Sequence, residues 1–305
     1  MKLADKILKR NELYKEIGIN DDLTSTGLYK DAWNRLKKNK FSMVCLYAII
    51  IFALIAIFAP LFAPYDPAHQ DIYNILDGSS KEHWLGTDHL GRDILSRIIY
   101  GSRVSLSVGI VAEAIAVTIG IIMGALAGFY GGIVDTIISR IIEIFASFPF
   151  LLFAIAIMFV LGPGIVNLFI AIGLIGWTGL ARLIRAQIIQ LKEKEFVEAA
   201  TAIGASKTRI ILKHLLPNCL STIIVIISLD IPGDIMLEAT LSFLGLGVQP
   251  PMPSWGEMIN SSRMFMRQAP MYSIYPGIAI MIIVLSFNTL GDALRDALDP
   301  KLKNL

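Results

Sequence analysis

Six stretches of this sequence run for about 17 to 25 residues with almost no charge, the length of helix that spans a hydrocarbon core roughly 30 Å thick. They cover residues 43–63, 104–129, 144–161, 165–181, 220–244 and 273–291. The second holds one charge, Glu113, and the third follows Arg140 and Glu143 at its mouth. The fifth is apolar apart from Asp230, Asp234 and Glu238, and the sixth carries no charge. Backbone in lipid must satisfy its own hydrogen bonds, so all six are predicted to be helices, and the fold class is an all-α polytopic membrane protein. Spacing divides them unequally. One isolated span and a long loop precede five closely spaced spans that begin near Gly101.

Composition agrees with this pattern: 55% of the residues are apolar, 17% are charged and the mean hydropathy is +0.64, outside the usual range of a soluble domain of this length. Orientation follows from Lys and Arg, which collect on the cytoplasmic side. Ten lie before Met43. Seven more (Arg182, Arg185, Lys192, Lys194, Lys207, Arg209 and Lys213) lie between the fourth and fifth stretches, and Arg295, Lys301 and Lys303 follow the sixth. The segment 63–100 instead sets six acids against Lys81, Arg92 and Arg97. Both termini are therefore expected in the cytoplasm. The leader is too long and too acidic for a signal peptide, and no cleavage is expected. The net charge of +2 has no solvated basic face with interleaved aromatics, which argues against nucleic-acid binding. Cys45 and Cys219 have no metal-ligand spacing and are expected as free structural thiols.

Enzymatic motifs are missing. The histidines (His69, His83, His89 and His214) form no H-E-x-x-H, there is no G-x-S-x-G elbow, and the segment Gly204-Ala205-Ser206-Lys207-Thr208 lacks the glycine before lysine that a phosphate loop needs. An intramembrane enzyme would also need a histidine, serine or metal beside the acids of the fifth stretch. Those acids, Asp230, Asp234 and Glu238, recur every four residues and share one arc of a helix, with Pro232 and Gly233 between them. Such groups are tolerable in a membrane only toward the bundle interior or water, so a translocation path is the leading expectation and internal pairing the competing one. Gly120, Gly124 and Gly128 form a small-residue face of the second span suited to close helix packing.

The segment 193–216 is helical by propensity but too polar to insert. Phe196, Ala199, Ala200 and Ile203 are predicted to share one face of a short helix, Gly204 to permit a turn, and Ser206 to cap a second helix that ends at Pro217. An apolar face on a cytoplasmic protrusion suits docking into a groove of another protein, with a membrane-surface helix as the alternative. The outer segment 66–97 is longer than a connection requires. Its residues Trp84, Asp88, Arg92 and Asp93, joined by Trp255 from the 248–271 loop, are expected either to support an extracytoplasmic gate or to serve packing alone.

At the cytoplasmic segment, Glu198-Ala199-Ala200, Gly204 and Leu216-Pro217 resemble the E-A-A-x3-G-x9-I-x-L-P pattern of ABC importer permeases, with His214 where isoleucine is usual. The stretches 83–106 (HWLGTDHLGRDILSRIIYGSRVSL), 241–251 (LSFLGLGVQPP), 254–259 (SWGEMI) and 291–302 (GDALRDALDPKL) are similar to the second-permease branch of the dipeptide, oligopeptide and nickel importers. The resemblance implies one appended N-terminal helix plus a five-helix ABC importer core. Residues 1–42 then form a cytoplasmic basic leader, 43–100 the first span and outer loop, and 101–305 the permease core. It implies a coupling helix within 193–216, with Glu195, Phe196, Glu198, Ala199, Ala200, Gly204 and Ala205 meeting the ATPase. The implied partners are a second related permease, two ATP-binding subunits that carry ATP and Mg, an extracytoplasmic substrate-binding protein or receptor that Trp84, Asp88, Arg92, Asp93 and Trp255 would contact, and the lipid bilayer of a bacterial cytoplasmic membrane, with no cofactor on this chain. Peptide is the expected substrate and a nickel chelate the alternative. An ion-coupled secondary transporter or channel is the rival from another class; the absence of a clear inverted repeat and the partner-ready helix count against it.

Overall fold

The computed structural model describes residues 28–298. Most of the basic leader, with the tail lysines Lys301 and Lys303, lies outside the described residues. Helix α1 (Leu28–Lys38) leads into α2 (Lys40–Ile57), and the break is chemical: the Asn39 side chain accepts from the Phe41 and Ser42 amides at 3.1 and 3.2 Å. Along α2, Val44, Tyr47, Ile51, Leu54 and Ile57 are all exposed, a face that water would reject and lipid accepts. A single turn, α3 (Ala59–Phe62), ends this unit before the outer loop.

The chain then enters α4 (Ile94–Tyr130), α5 (Gly132–Ala146), α6 (Phe150–Leu161) and α7 (Ile165–Lys192). Helix α4 begins ten residues before the apolar stretch does, because Asp93 caps it by accepting from the Ser96 amide and hydroxyl, both at 2.7 Å. Its 37 residues extend for about 56 Å, well beyond the roughly 30 Å hydrocarbon layer. The third apolar stretch departs from expectation. It is not one straight helix, since α5 and α6 meet at 89° across Ser147-Phe148-Pro149. Proline has no amide hydrogen to donate and disfavours helical geometry in the residue before it, so Phe148 cannot continue the helix. The twelve residues of α6 reach only about 18 Å and do not cross unaided. Among the described residues, five helices are long and apolar enough to span a membrane, and the bent pair makes the sixth when counted as one broken span.

Beyond α7 come α8 (Glu195–Ala202) and α9 (Lys207–Ile210), which passes through a π turn (Ile211–Leu215) into α10 (Leu216–Phe243). The second helix predicted within 193–216 therefore does not stop at Pro217. The wider turn absorbs the missing donor, and Lys207–Phe243 is one continuous helix of 37 residues. Short α11 (Trp255–Ser262) and long α12 (Pro270–Leu298) complete the described fold.

Close packing of α4 on α7 is the centre of the bundle. A Cβ on Gly124 would stand 2.6 Å from the Ala181 carbonyl oxygen, and one on Gly128 would stand 2.8 Å from that of Arg185. The seam continues from the other side, where a Cβ on Gly173 would meet Ile115 at 2.7 Å. The small-residue face thus packs against protein, and backbone approaches backbone where lipid supplies no hydrophobic drive between helices. Helix α10 packs on both α4 and α12, and α12 in turn packs on α2. Cys45 and Cys219 are buried and free.

Candidate functional site

Three carboxylates from two helices line one cavity. Asp230 and Asp234 sit a turn apart on α10, with Pro232 inside the helix between them, and Glu113 comes from α4. The cavity is an open cleft of about 520 Å³, and Gly176, Gly179, Phe150 and Met236 are among its other walls. Asp230 is exposed, whereas Asp234 and Glu113 are only 6% and 4% accessible. Among the described residues, Asp234 Oδ2 has no hydrogen-bond partner. Glu113 was not singled out as a site residue in the sequence, although a lone carboxylate inside an apolar stretch is itself a signal.

Glu238, the third acid of the expected arc, is a correction. It is fully buried, is not among the cavity's walls, and accepts from the Ser105 and Ser242 hydroxyls at 2.9 and 2.7 Å. One carboxylate oxygen is thereby used across the α4–α10 contact and the other within α10. Ser105 also receives the Trp255 amide at 3.4 Å, tying α11 to the same point.

The outer loop is a packed, ion-paired cap. Asp88 Oδ1 accepts from the amides of Leu90 and Arg92 at 2.8 and 3.0 Å, and Asp88 Oδ2 takes Arg92 Nε at 2.6 Å. Arg97 stands 3.5 Å from the same carboxylate, donates to the Pro67 carbonyl at 3.0 Å and pairs with Glu257 of α11 at 2.8 Å. Asp93 caps α4 and shares a 2.9 Å hydrogen bond with His83. Trp255 is fully buried, donates Nε1–H to the Ile98 carbonyl at 3.1 Å and meets Phe52 edge-on. Asp88, Arg92, Asp93 and Trp255 are therefore internal, and as this chain is folded they cannot touch a receptor; Trp84, 68% exposed, is the one of the five that can. His89, in the same cap, stacks on Phe265 and shares a 3.3 Å hydrogen bond with the Tyr272 hydroxyl. Burial lowers its pKa below the ordinary imidazole range, against the opposing pull of the Asp88 charge.

In the segment 193–216, Ser206 caps α9 through the Arg209 amide at 3.4 Å, and Gly204 at φ +80° provides the turn that the sequence assigned to it. Glu195, Phe196, Glu198, Ala199 and Gly204 are exposed, as is Ile203 at 86%. Ala200 differs from expectation. With Val197 it faces inward, into a cluster holding Ile188, Leu215, Cys219 and Ile223, and Ala205 packs against the same cluster half-buried. Helix α8 is thus two-sided, its inner face fastened to the adjoining ends of α7 and α10 and its outer face uncovered among the described residues.

Comparison with known proteins agrees with this architecture. Residues 116–304 match the family described as binding-protein-dependent transport system inner membrane component, and residues 27–78 match the N-terminal TM domain of oligopeptide transport permease C. The chain is 48% identical over 284 residues to the dipeptide transport system permease protein DppC of Alkalihalophilus pseudofirmus, covering 93% of each. It is 44% identical over 276 residues to the glutathione transport system permease protein GsiD of Escherichia coli O157:H7, covering 90% of this chain and 91% of the relative. Among solved structures, the inward-facing MetNI methionine ABC transporter superposes with a TM-score of 0.55 at 19% identity, over 68% of this chain and 98% of that one, a likeness of fold.

Proposed function

The chain belongs to the family of inner membrane components of binding-protein-dependent transport systems, and from that premise we propose that it is one of two related permeases of an ATP-driven peptide importer in a bacterial cytoplasmic membrane. The observation that carries the substrate is end-to-end similarity to relatives named for dipeptide and glutathione transport. Peptide is preferred to a nickel chelate on that ground. A self-sufficient secondary transporter has no use for the free outer face of α8.

In this reading α2 and the outer cap are appended to a core running from α4 to α12, and both termini are cytoplasmic, as the Lys and Arg distribution requires. Each of two separate ATP-binding subunits carries ATP and Mg, and a substrate-binding protein delivers peptide at the outer face. Phe196, Ala199 and Ile203, flanked by Glu195 and Glu198, seat in a groove of one ATPase. Closure of the ATPases around ATP moves α8 as a rigid body. Because Val197 and Ala200 share a core with Ile188 of α7 and with Leu215 and Cys219, that motion passes to α7 and to α10, the helix that carries Asp230 and Asp234. ATP shifts the assembly only by its differential affinity for the two conformers, so coupling requires α8 to hold the ATPase differently in each. Purifying the complex with its receptor and measuring which ligand raises ATPase activity tests the proposal: dipeptides are expected to do so, and stimulation by nickel chelates alone would replace the substrate.

A further inference from the structure

The cavity between α4, α7 and α10 is built for more than packing. Its walls include Glu113, Asp230 and Asp234 and no basic residue. Carboxylates in so apolar a setting are tolerated when something positive or hydrogen-bonding completes them. Glu238 shows what completion within the fold looks like, with a serine hydroxyl on each oxygen. Asp234 has no such partner for Oδ2, although it is as nearly buried and lies only one turn away. Space is kept open beside it. A Cβ added at Gly179 or Gly233, both on the cavity wall, would meet nothing within 4 Å. The cleft's volume of about 520 Å³ lies within the usual range of small-ligand sites.

We propose that this cavity is a recognition site for a protonated primary amine, the α-ammonium group of the transported peptide, received by Asp234 and Glu113 with Asp230 at the rim. A compact ammonium presents three donors in a tripod, which carboxylates on two different helices can share. A bare metal ion fits less well, because among the described residues these acids do not form a cluster able to hold one. Phe150, Leu151, Met236 and Leu237 supply apolar walls without directional demands, so the site fixes the amine and tolerates varied side chains. The inference rests on the importer reading and adds to it the group by which cargo is held within the membrane.

The test uses the assembled complex without its receptor, in nanodiscs, with radiolabelled alanyl-alanine and its N-acetylated form as probes. The wild type is expected to bind the free amine about ten-fold more tightly than the acetylated peptide, the value of one charge-assisted hydrogen bond. Glu113→Gln and Asp234→Asn should each reduce that preference below about three-fold. Gly179→Leu, whose Cβ meets nothing within 4 Å on the cavity wall, should weaken binding of both probes at least about ten-fold while the complex still assembles, and it serves where the carboxamide variants fail to assemble. Equal or absent binding in the wild type, a preference that survives in the variants, wild-type binding by Gly179→Leu, or saturation of the cavity by nickel ion alone would each overturn the site. ATP-driven uptake of alanyl-alanine by the same complex with its receptor separates the two readings: uptake without an amine preference removes the site only, and no uptake removes the importer.

Discussion

Arg97 on α4 and Glu257 on α11 meet at 2.8 Å with side chains 0% and 4% accessible, although 160 residues separate them in the chain. Removing one member leaves the other charge buried and unpaired, a loss of about 3–5 kcal/mol. Arg97→Ala should therefore release the outer cap, seen as faster proteolysis within residues 66–97 and a lower melting temperature in detergent. An unchanged digestion pattern would mean that the pair does not hold the cap.

A side chain on the α4–α7 seam should be far more damaging than one on an open glycine. Gly124→Val places atoms within 2.6 Å of the Ala181 carbonyl oxygen, and overpacking of this kind costs about 1–3 kcal/mol or more. Gly277→Ala, whose Cβ meets nothing within 4 Å inside α12, should be neutral or slightly stabilising. Thermal unfolding of the two purified variants checks the contrast.

Two adjacent alanines on α8 should fail differently. Ala199 is exposed and Ala200 is buried. Ala199→Asp is expected to leave the protein folded and lower substrate-stimulated ATPase activity and transport by at least about ten-fold, the effect of losing a central interface contact of about 2 kcal/mol. Ala200→Asp buries a carboxylate in the cluster around Leu215 and Cys219 and should reduce the yield of folded protein. Full activity in Ala199→Asp would remove α8 as the docking element.

The cap should also respond to pH through His89. Its pKa is lowered in the fold by burial, so the folded state favours the neutral ring. Stability from this group is complete above the unfolded value of about 6.5 and declines as pH falls below it. Hydrogen exchange in the cap should accelerate from pH 7 to pH 5.5, and His89→Phe, which keeps a ring against Phe265, should flatten that dependence. The charged neighbours Asp88, Arg92, Arg97 and Glu257 act on the same ring.

The spans, the glycine seam and the Ser206 cap were legible because each is written locally, in length of apolar run, a four-residue repeat and a capping position. The bend at Phe148-Pro149 was equally local, but an apolar run of adequate length masked the helix break inside it. What the sequence could not convey is which arc of a helix meets which neighbour. Asp234 and Glu238 look alike at four-residue spacing, yet one reaches the cavity and the other meets Ser105, 133 positions away. The burial of Asp88, Arg92 and Trp255 likewise depends on partners such as Arg97 and Glu257 brought together only by folding. Ala200 turned inward for the same reason, since the partner of α8's second face, the π turn before α10, is set by Pro217 and not by α8 itself.

The central claim is that this chain forms half of a peptide path driven by ATP hydrolysed on other subunits. The most direct measurement is uptake of labelled dipeptide into proteoliposomes holding this chain, a second related permease and two ATP-binding subunits, with the substrate-binding protein added outside and ATP enclosed. Uptake should require all of these components and ATP, and should cease when any one is left out. Uptake by this chain alone, driven by an ion gradient without ATP, would contradict the claim.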